Sequence, residues 1–449
     1  MDKFKNIIIG FGKAGKTLAK YLAQHDETVL LIERSKQMYG GTCINVGCLP
    51  SKNLIFNGQR GVDFTTAVNK RGEMTRQLRN KNYHMVADEP LATIWNGSAR
   101  FIDNYVLAVV MSDGTTKKVR GERIFINTGA VPNWPSIPGL EFSQRIFTSK
   151  EAMELEKQPK RLAIIGGGYI GLEFAGMFNS FGTHVTIFDQ HTKLLEREDP
   201  DIATEVVADL TDAGIEIKPA TQLTQVKDNG EKVTLYYQQG DQTDTAEFDA
   251  VLVAVGRRPN VSSLGLENTD IALTNRGAIQ VDDHLRTTVQ NIWALGDVNG
   301  GPMFTYVSLD DFRIIIDQLF GKGDRSTADR MVIPTASFLN PPLANVGLNE
   351  HQAKSVGYNF QTFKLSVKAI PKARVLEDQR GLYKVIVDQK THLILGATLY
   401  AAEAHETINL IALAMKAKLP YERLRDMIYT HPTMSEALND LFKTPVVKS

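Results

Sequence analysis

One pattern occurs twice in this chain, in register, and it restricts the fold more than any other feature. Asn6-Ile7-Ile8-Ile9-Gly10-Phe11-Gly12-Lys13-Ala14-Gly15 reads as a buried strand, then G-x-G-x-x-G, then an amphipathic helix to about Ala23. Thr28 to Glu33 follows as the next strand, with Glu33 at its end, 18 residues after Gly15. Arg161 to Gly171 repeats the strand and fingerprint, and Val185-Thr186-Ile187-Phe188-Asp189 repeats the second strand and its acid. Gly166, Gly168, Gly171 and Asp189 each lie 156 positions beyond Gly10, Gly12, Gly15 and Glu33. The glycines permit a tight turn and close backbone approach to a pyrophosphate at a helix N-terminus, while the acid accepts from ribose hydroxyls. Such a repeat predicts two dinucleotide-binding folds within one α/β chain.

Between the two copies stands Gly40-Gly41-Thr42-Cys43-Ile44-Asn45-Val46-Gly47-Cys48-Leu49-Pro50-Ser51-Lys52, which holds the only two cysteines of the sequence. Spacing alone leaves four readings: unrelated core thiols, a structural disulfide, half a metal site, or a redox pair. A chain long enough to build a full core needs no disulfide staple. Zinc usually takes four ligands, and no Cys/His cluster stands nearby, so no metal is expected. Gly40-Gly41 lets backbone lie against a flat ligand, and Thr42 is placed to cap one helix carrying both cysteines. A cysteine at a helix N-terminus has its thiolate stabilised by the dipole.

The 449 residues suggest about three domains. Hydrophobic residues at 43% and charged residues at 23% describe a soluble globular chain. Lys+Arg and Asp+Glu both number 51, which leaves no net field for nucleic acid or an anionic membrane. No apolar run approaches the roughly 20 residues of a bilayer span. The first residues run straight into Ile7-Ile8-Ile9 without the h-region of a signal peptide, so a cytoplasmic location is expected, where a dithiol is catalytic or redox-active.

Arg71 to Asn82 reads as helix, its charges a solvated face. Arg123 to Ala130 reads as a strand ending in the Thr128-Gly129 turn, and proline-rich Val131 to Gly139 as a boundary. Ala250 to Asn260 is a buried strand entering a basic turn, and Asn291 to Val298 a strand ending in Gly296-Asp297. From Pro334 the texture changes to strands and amphipathic helices without a fingerprint. His431, five residues before Glu436, is there a candidate general acid/base for dithiol chemistry.

Taken together, Gly10–Gly15, Gly40–Lys52, Gly166–Glu173, Gly256–Asn260, Gly296-Asp297 and His431–Glu436 resemble the flavoprotein disulfide reductases, the family of glutathione reductase, dihydrolipoamide dehydrogenase and mercuric reductase. The resemblance implies two Rossmann-like domains and a C-terminal α+β dimerisation domain. The expected division is FAD binding at 1–147 and 267–332, NAD(P)H binding at 148–266, and the dimer interface at 333–449. It implies FAD contacts at Gly10, Gly12, Gly15, Glu33, Gly41, Thr42, Lys52, Thr128, Gly129, Gly296 and Asp297. NAD(P)H contacts are implied at Gly166, Gly168, Tyr169, Gly171, Glu173, Asp189, Gly256 and Arg257. Lys52 would sit near the flavin, paired with Glu173, and Tyr169 would gate the nicotinamide. Cys48 would face the flavin and Cys43 the substrate. His431, oriented by Glu436, would serve the dithiol of the other subunit in an obligatory homodimer.

Arg79–His84, Phe304–Arg313 and His431–Phe442 resemble one branch, the reactive-chlorine-resistance (RclA-type) flavoproteins. That branch implies electrons passing from NAD(P)H through FAD and the disulfide to hypothiocyanous acid, and reduction of Cu(II), in oxidant defence. Asp189 predicts NADH as the preferred coenzyme, since a carboxylate repels the 2′-phosphate of NADPH. With Cys43 and Cys48 the whole thiol inventory, no C-terminal cysteine pair relays electrons, and a small oxidant must reach Cys43 directly. Two rival readings are a dihydrolipoamide dehydrogenase and a non-catalytic flavoprotein subunit. Tyr306, Asp310 and Asp311 depart from the better-known members, with only a helix start that welcomes negative charge to account for the acids.

Overall fold

The computed structural model describes residues 1–443 and 445–446, so the expected interface region 333–449 ends partly outside the described residues. Asp2–Ile9 pairs in parallel with Val29–Glu33 on one side and Thr116–Ile126 on the other. Ala92–Asn96 extends the sheet beyond Val29–Glu33, and Ile292–Ala294 extends it beyond Thr116–Ile126. Val29–Glu33 is buried at every position, as parallel strands covered on both faces must be. The far halves of Ala92–Asp103 and Thr116–Ile126 peel away to hold Val106–Met111 between them in an antiparallel meander.

The second sheet repeats the design. Glu216–Lys218, His184–Phe188, Arg161–Ile165, Ala250–Val253 and Ile146–Phe147 lie in that order, all parallel. Its edge strand, Ile146–Phe147, precedes the boundary expected at 148. A three-stranded antiparallel sheet, Thr221–Asp228, Val233–Gln239 and Gln242–Phe248, is inserted before Ala250. The chain then returns to the first sheet through Ile292–Ala294. A third, antiparallel sheet of five strands runs from Thr335 to Tyr400, with Ala404–Lys416 packed on it.

Each fingerprint opens a helix: α1 (Lys13–Ala23) follows Gly12, and a matching helix starts at Tyr169 after Gly168. Asn127 ends the strand Thr116–Ile126 and stitches the first site together. Its Oδ1 accepts from the Gly15 N–H at 2.9 Å, and its Nδ2 donates to the Leu295 carbonyl at 2.6 Å. All three groups are buried, so Asn127→Ala leaves two polar groups unpaired at about 1–3 kcal/mol each. A lowered thermal midpoint with the secondary structure intact is the expected outcome, and circular dichroism melting checks it.

Candidate active site

The dithiol stretch forms two helices where one was expected. Helix α2 (Thr42–Asn45) carries Cys43, and α3 (Cys48–Gln59) begins at Cys48 itself. Thr42 is the first residue of α2 and caps nothing; Gly41 and Gly47 take the cap positions. Gly41 has φ of 79°, and a Cβ there would stand 2.7 Å from Gly12 Cα, so the dithiol loop lies directly against the first fingerprint. Asn45, fully buried, closes the loop by donating to the Tyr39 and Gly41 carbonyls at 2.9 Å each.

Cys43 is half-buried and Cys48 exposed, and the two thiols are free. A hydrogen bond from Cys43 is the largest influence on Cys48. Against burial, and helped by Thr305, the Lys52 charge and its own N–H, it draws the Cys48 thiol down to about 6. The same bond and burial push Cys43 up. The pair is therefore asymmetric, with negative charge favoured on Cys48, at the N-terminus of a twelve-residue helix, over Cys43. Thr305 Oγ1 lies 3.6 Å from Cys48 Sγ.

Lys52, one turn along α3, pairs with Glu173 at 2.6 Å and stands 4.9 Å from the Phe338 ring centroid. Glu173 belongs to α5 (Tyr169–Ser180), and its second oxygen accepts from the Phe338 N–H at 2.8 Å. Thr305 opens α6 (Thr305–Phe320), and here the acids Asp310 and Asp311 gain a role. They lie in the middle of α6, not at its start, and the dipole explains neither. Asp311, 1% exposed, accepts from the Gly296 N–H at 2.5 Å and pairs with Arg330. Asp310 bonds Arg330 at 2.7 Å and Arg325 at 2.5 Å. The network thus anchors the Gly296-Asp297 turn to the segment leading into the third sheet.

The two nucleotide sites match atom for atom. Glu33 accepts from Phe11 N at 3.0 Å and Ser35 N at 3.1 Å. Asp189 accepts from Gly167 N at 2.5 Å and His191 N at 2.8 Å, the same positions 156 residues on, and also bonds the His191 ring at 2.6 Å. Burial pushes the Glu33 carboxyl up against these backbone bonds. Tyr169 is 42% exposed and donates to Glu198 at 2.7 Å, which Asn345 also reaches at 3.1 Å. Arg257, expected with the nicotinamide, donates to the Ala130 carbonyl at 2.6 Å and feels the charges of Asp297 and Cys48. Thr128 and Gly129 bond Asn260, closing the first site against the same turn. The residues fit FAD: Gly12 and Gly41 packed so closely that no Cβ fits between them, an acid at the strand end, and Arg257 within reach of the charges of both Asp297 and Cys48.

His431 is 70% exposed at its side chain and bonds Glu436 at 2.8 Å, and no bond joins it to the dithiol of its own chain among the described residues. The solvated face expected over Arg71–Asn82 is present, with Glu73, Arg76 and Lys81 exposed, but α4 (Phe64–Ala87) also has an inner side on which Arg71, Thr75 and Asn82 are buried. The helix packs on the dithiol loop, with Arg79 donating to Asn45 at 2.9 Å and the Tyr83 ring tilted against Tyr39, centroids 4.9 Å apart. Asn127, Phe338 and Glu198 were not legible as site residues. For Asn127 a signal existed, a polar residue directly after Ile124-Phe125-Ile126, at the carboxyl end of a parallel strand where such sheets bind ligands.

The family model for pyridine nucleotide-disulphide oxidoreductases matches residues 4–311, and that for their dimerisation domain matches 333–442. The chain is a pyridine nucleotide-disulphide oxidoreductase. The family uses FAD and NAD(P)H. This oxidoreductase is 47% identical to the probable pyridine nucleotide-disulfide oxidoreductase RclA of Escherichia coli K12, over 98% of this chain and 99% of that one. A mercuric reductase of Lysinibacillus sphaericus is 33% identical over 97% of this chain and 82% of its own length. A dihydrolipoyl dehydrogenase of Corynebacterium glutamicum is 32% identical over 98% and 97%. The solved Cu(II) complex of the HOCl-induced flavoprotein disulfide reductase RclA of Escherichia coli superposes with a TM-score of 0.95, covering 98% and 99% of the two chains. The oxidoreductase is therefore an RclA-like flavoprotein disulfide reductase, and no helix among its described residues is long and apolar enough to cross a membrane.

Two outcomes follow from the geometry. Reduced enzyme should alkylate with haloacetamide around a midpoint near pH 6, with the thiolate lost below it; Cys43→Ala, lacking the donor, should move the Cys48 midpoint upward. Asp311→Asn leaves Arg330 half-partnered and loosens the Gly296 turn. A lower thermal midpoint and faster FAD loss on gel filtration are expected.

Proposed function

We propose that this oxidoreductase reduces a small electrophilic oxidant, hypothiocyanous acid first among them, at Cys43, as a homodimer with shared sites. The observation that carries the reading is the dithiol itself. Its surroundings favour negative charge on Cys48, and Cys43 and Cys48 are the only cysteines of the sequence, so no second thiol pair stands between them and substrate. The similarity to an HOCl-induced relative supports an oxidant as substrate.

FAD, when bound, supplies electrons from NAD(P)H to the Cys43–Cys48 disulfide. His431 of the partner subunit, oriented by Glu436, takes the Cys43 proton. The Cys43 thiolate then attacks the sulfur of hypothiocyanous acid, forming Cys43–S–SCN. The departing hydroxide takes the proton back from His431 and leaves as water. The Cys48 thiolate attacks Cys43 Sγ, expels thiocyanate and restores the disulfide. One oxidant molecule accepts two electrons, and each atom is accounted for. Exposure of His431 on its own chain supports its service to a second subunit.

For the coenzyme, NADH is the proposed donor. Asp189 itself presents a carboxylate where a 2′-phosphate would sit, and it engages the His191 ring at 2.6 Å.

Stopped-flow oxidation of NADH against hypothiocyanous acid, Cu(II), lipoamide and oxidised glutathione tests the reading. Hypothiocyanous acid should give the highest kcat/KM, and faster turnover with lipoamide would overturn it in favour of a dihydrolipoamide dehydrogenase. Cys43→Ser and Cys48→Ser should each abolish oxidant reduction with FAD retained. His431→Ala should slow it by about 10²–10⁴-fold, and mixing that variant with Cys43→Ser should restore activity through heterodimers. Asp189→Ser should shift the coenzyme ratio towards NADPH; a wild-type kcat/KM for NADPH at or above that for NADH would refute the preference.

A further inference from the structure

The first fingerprint helix carries a cation that the reductase reading leaves unused. Lys16 is 4% exposed, buried within α1. Its ammonium donates to the Gly40 carbonyl at 3.3 Å and to the Asn82 side-chain oxygen, both neutral, and no carboxylate pairs with it among the described residues. A buried cation without a counter-anion is costly, and a chain keeps one where some state of the site provides the anion. The acceptors locate that anion. Gly40 directly precedes the Gly41 cap of α2, which carries Cys43, and Asn82 sits on the α4 face that grips the same loop.

That face makes the placement rigid. Asn82 is itself fixed by donating to the Leu78 carbonyl at 2.7 Å, and its neighbours Arg79 and Tyr83 hold Asn45 and Tyr39. The titratable groups that act on the ammonium are Lys13 on its own helix and Cys43 on α2, while Arg79 on α4 is committed to Asn45 and Gln37. Burial first, then Lys13, lower the Lys16 pKa to about 8, while Cys43 acts in the opposite direction; reciprocally, Lys16 favours the ionised form of Cys43.

We propose that Lys16, locked in place by Asn82, is a positioning residue of the dithiol whose buried ammonium stabilises negative charge on Cys43 when that thiol attacks. This rests on Cys43 as the attacking thiol and is independent of which oxidant it meets. It resolves a conflict in the site. The bond to Cys48 and burial push the Cys43 thiol up, yet the attack requires charge on Cys43. Lys52 serves the Cys48 end, and Lys16 serves the other.

The test needs no oxidant, so it fails or succeeds separately from the substrate reading. In a Cys48→Ala background only one thiol remains, and the pH dependence of its haloacetamide alkylation reports Cys43 alone. Lys16→Met should raise that midpoint by at least about one pH unit, with FAD per subunit unchanged. Asn82→Asp, which leaves the lysine but gives it a carboxylate, should raise the midpoint as well and keeps the proposal testable if Lys16→Met does not fold. An unchanged midpoint in the folded variants overturns the proposal. Loss of FAD with the midpoint unchanged also overturns it, and assigns Lys16 to the FAD pyrophosphate instead.

Discussion

One carboxylate fixes how the three parts of this molecule meet. Glu173 stands on the helix of the second fingerprint, takes the ammonium of Lys52 from the dithiol helix on one oxygen, and accepts the Phe338 backbone N–H of the third region on the other. It is 8% exposed, so neither bond is weakened much by solvent. The flat Phe338 ring covers the same lysine. Through these few atoms the distance between the two nucleotide folds and the dithiol is set, and electrons can only be passed between groups whose separation is held.

The charges around the dithiol divide by position. Lys52 and Thr305 surround Cys48, which begins a helix and so also meets free backbone N–H groups. Cys43 lies on a four-residue helix, where burial and the bond to Cys48 outweigh Thr305 and the Lys16 charge and push its thiol up. An asymmetric pair suits a thiol exchange in which one sulfur attacks and the other resolves, because the resolving thiolate is already formed when the mixed species appears. The glycines that break the segment into two helices are what separates the two environments.

Asp310 and Asp311 show the same economy at longer range. A buried acid in mid-helix has no reason to exist from α6 alone, but Gly296 must present its N–H somewhere once the strand Ile292–Ala294 ends. Asp311 accepts it, and Arg330 balances the charge. Because Thr305 begins the same helix, the turn bearing Asp297, the hydroxyl beside Cys48 and the approach to the third sheet are tied together through α6.

The repeat of glycines and acids 156 residues apart was decisive by itself: local turn chemistry and strand periodicity need only near neighbours, and both Rossmann-like sheets and the acids at their strand ends were legible from it. So was the dithiol, since two cysteines among glycines can be counted. The sequence could not show that α2 and α3 part at Gly47, where the chain folds back so closely that a Cβ would stand 2.9 Å from the Thr42 carbonyl oxygen, nor that Gly41 lies against Gly12, residues brought together only by the fold. Nor could it show that Arg71, Thr75 and Asn82 turn inward from an otherwise exposed polar stretch, because such residues are solvated unless other elements bring them partners. Asn127, Asp311 and Lys16 belong to the same class. Each acquires its meaning from a backbone group or thiol distant in sequence, and only the packing of the sheets and helices decided which one it would meet.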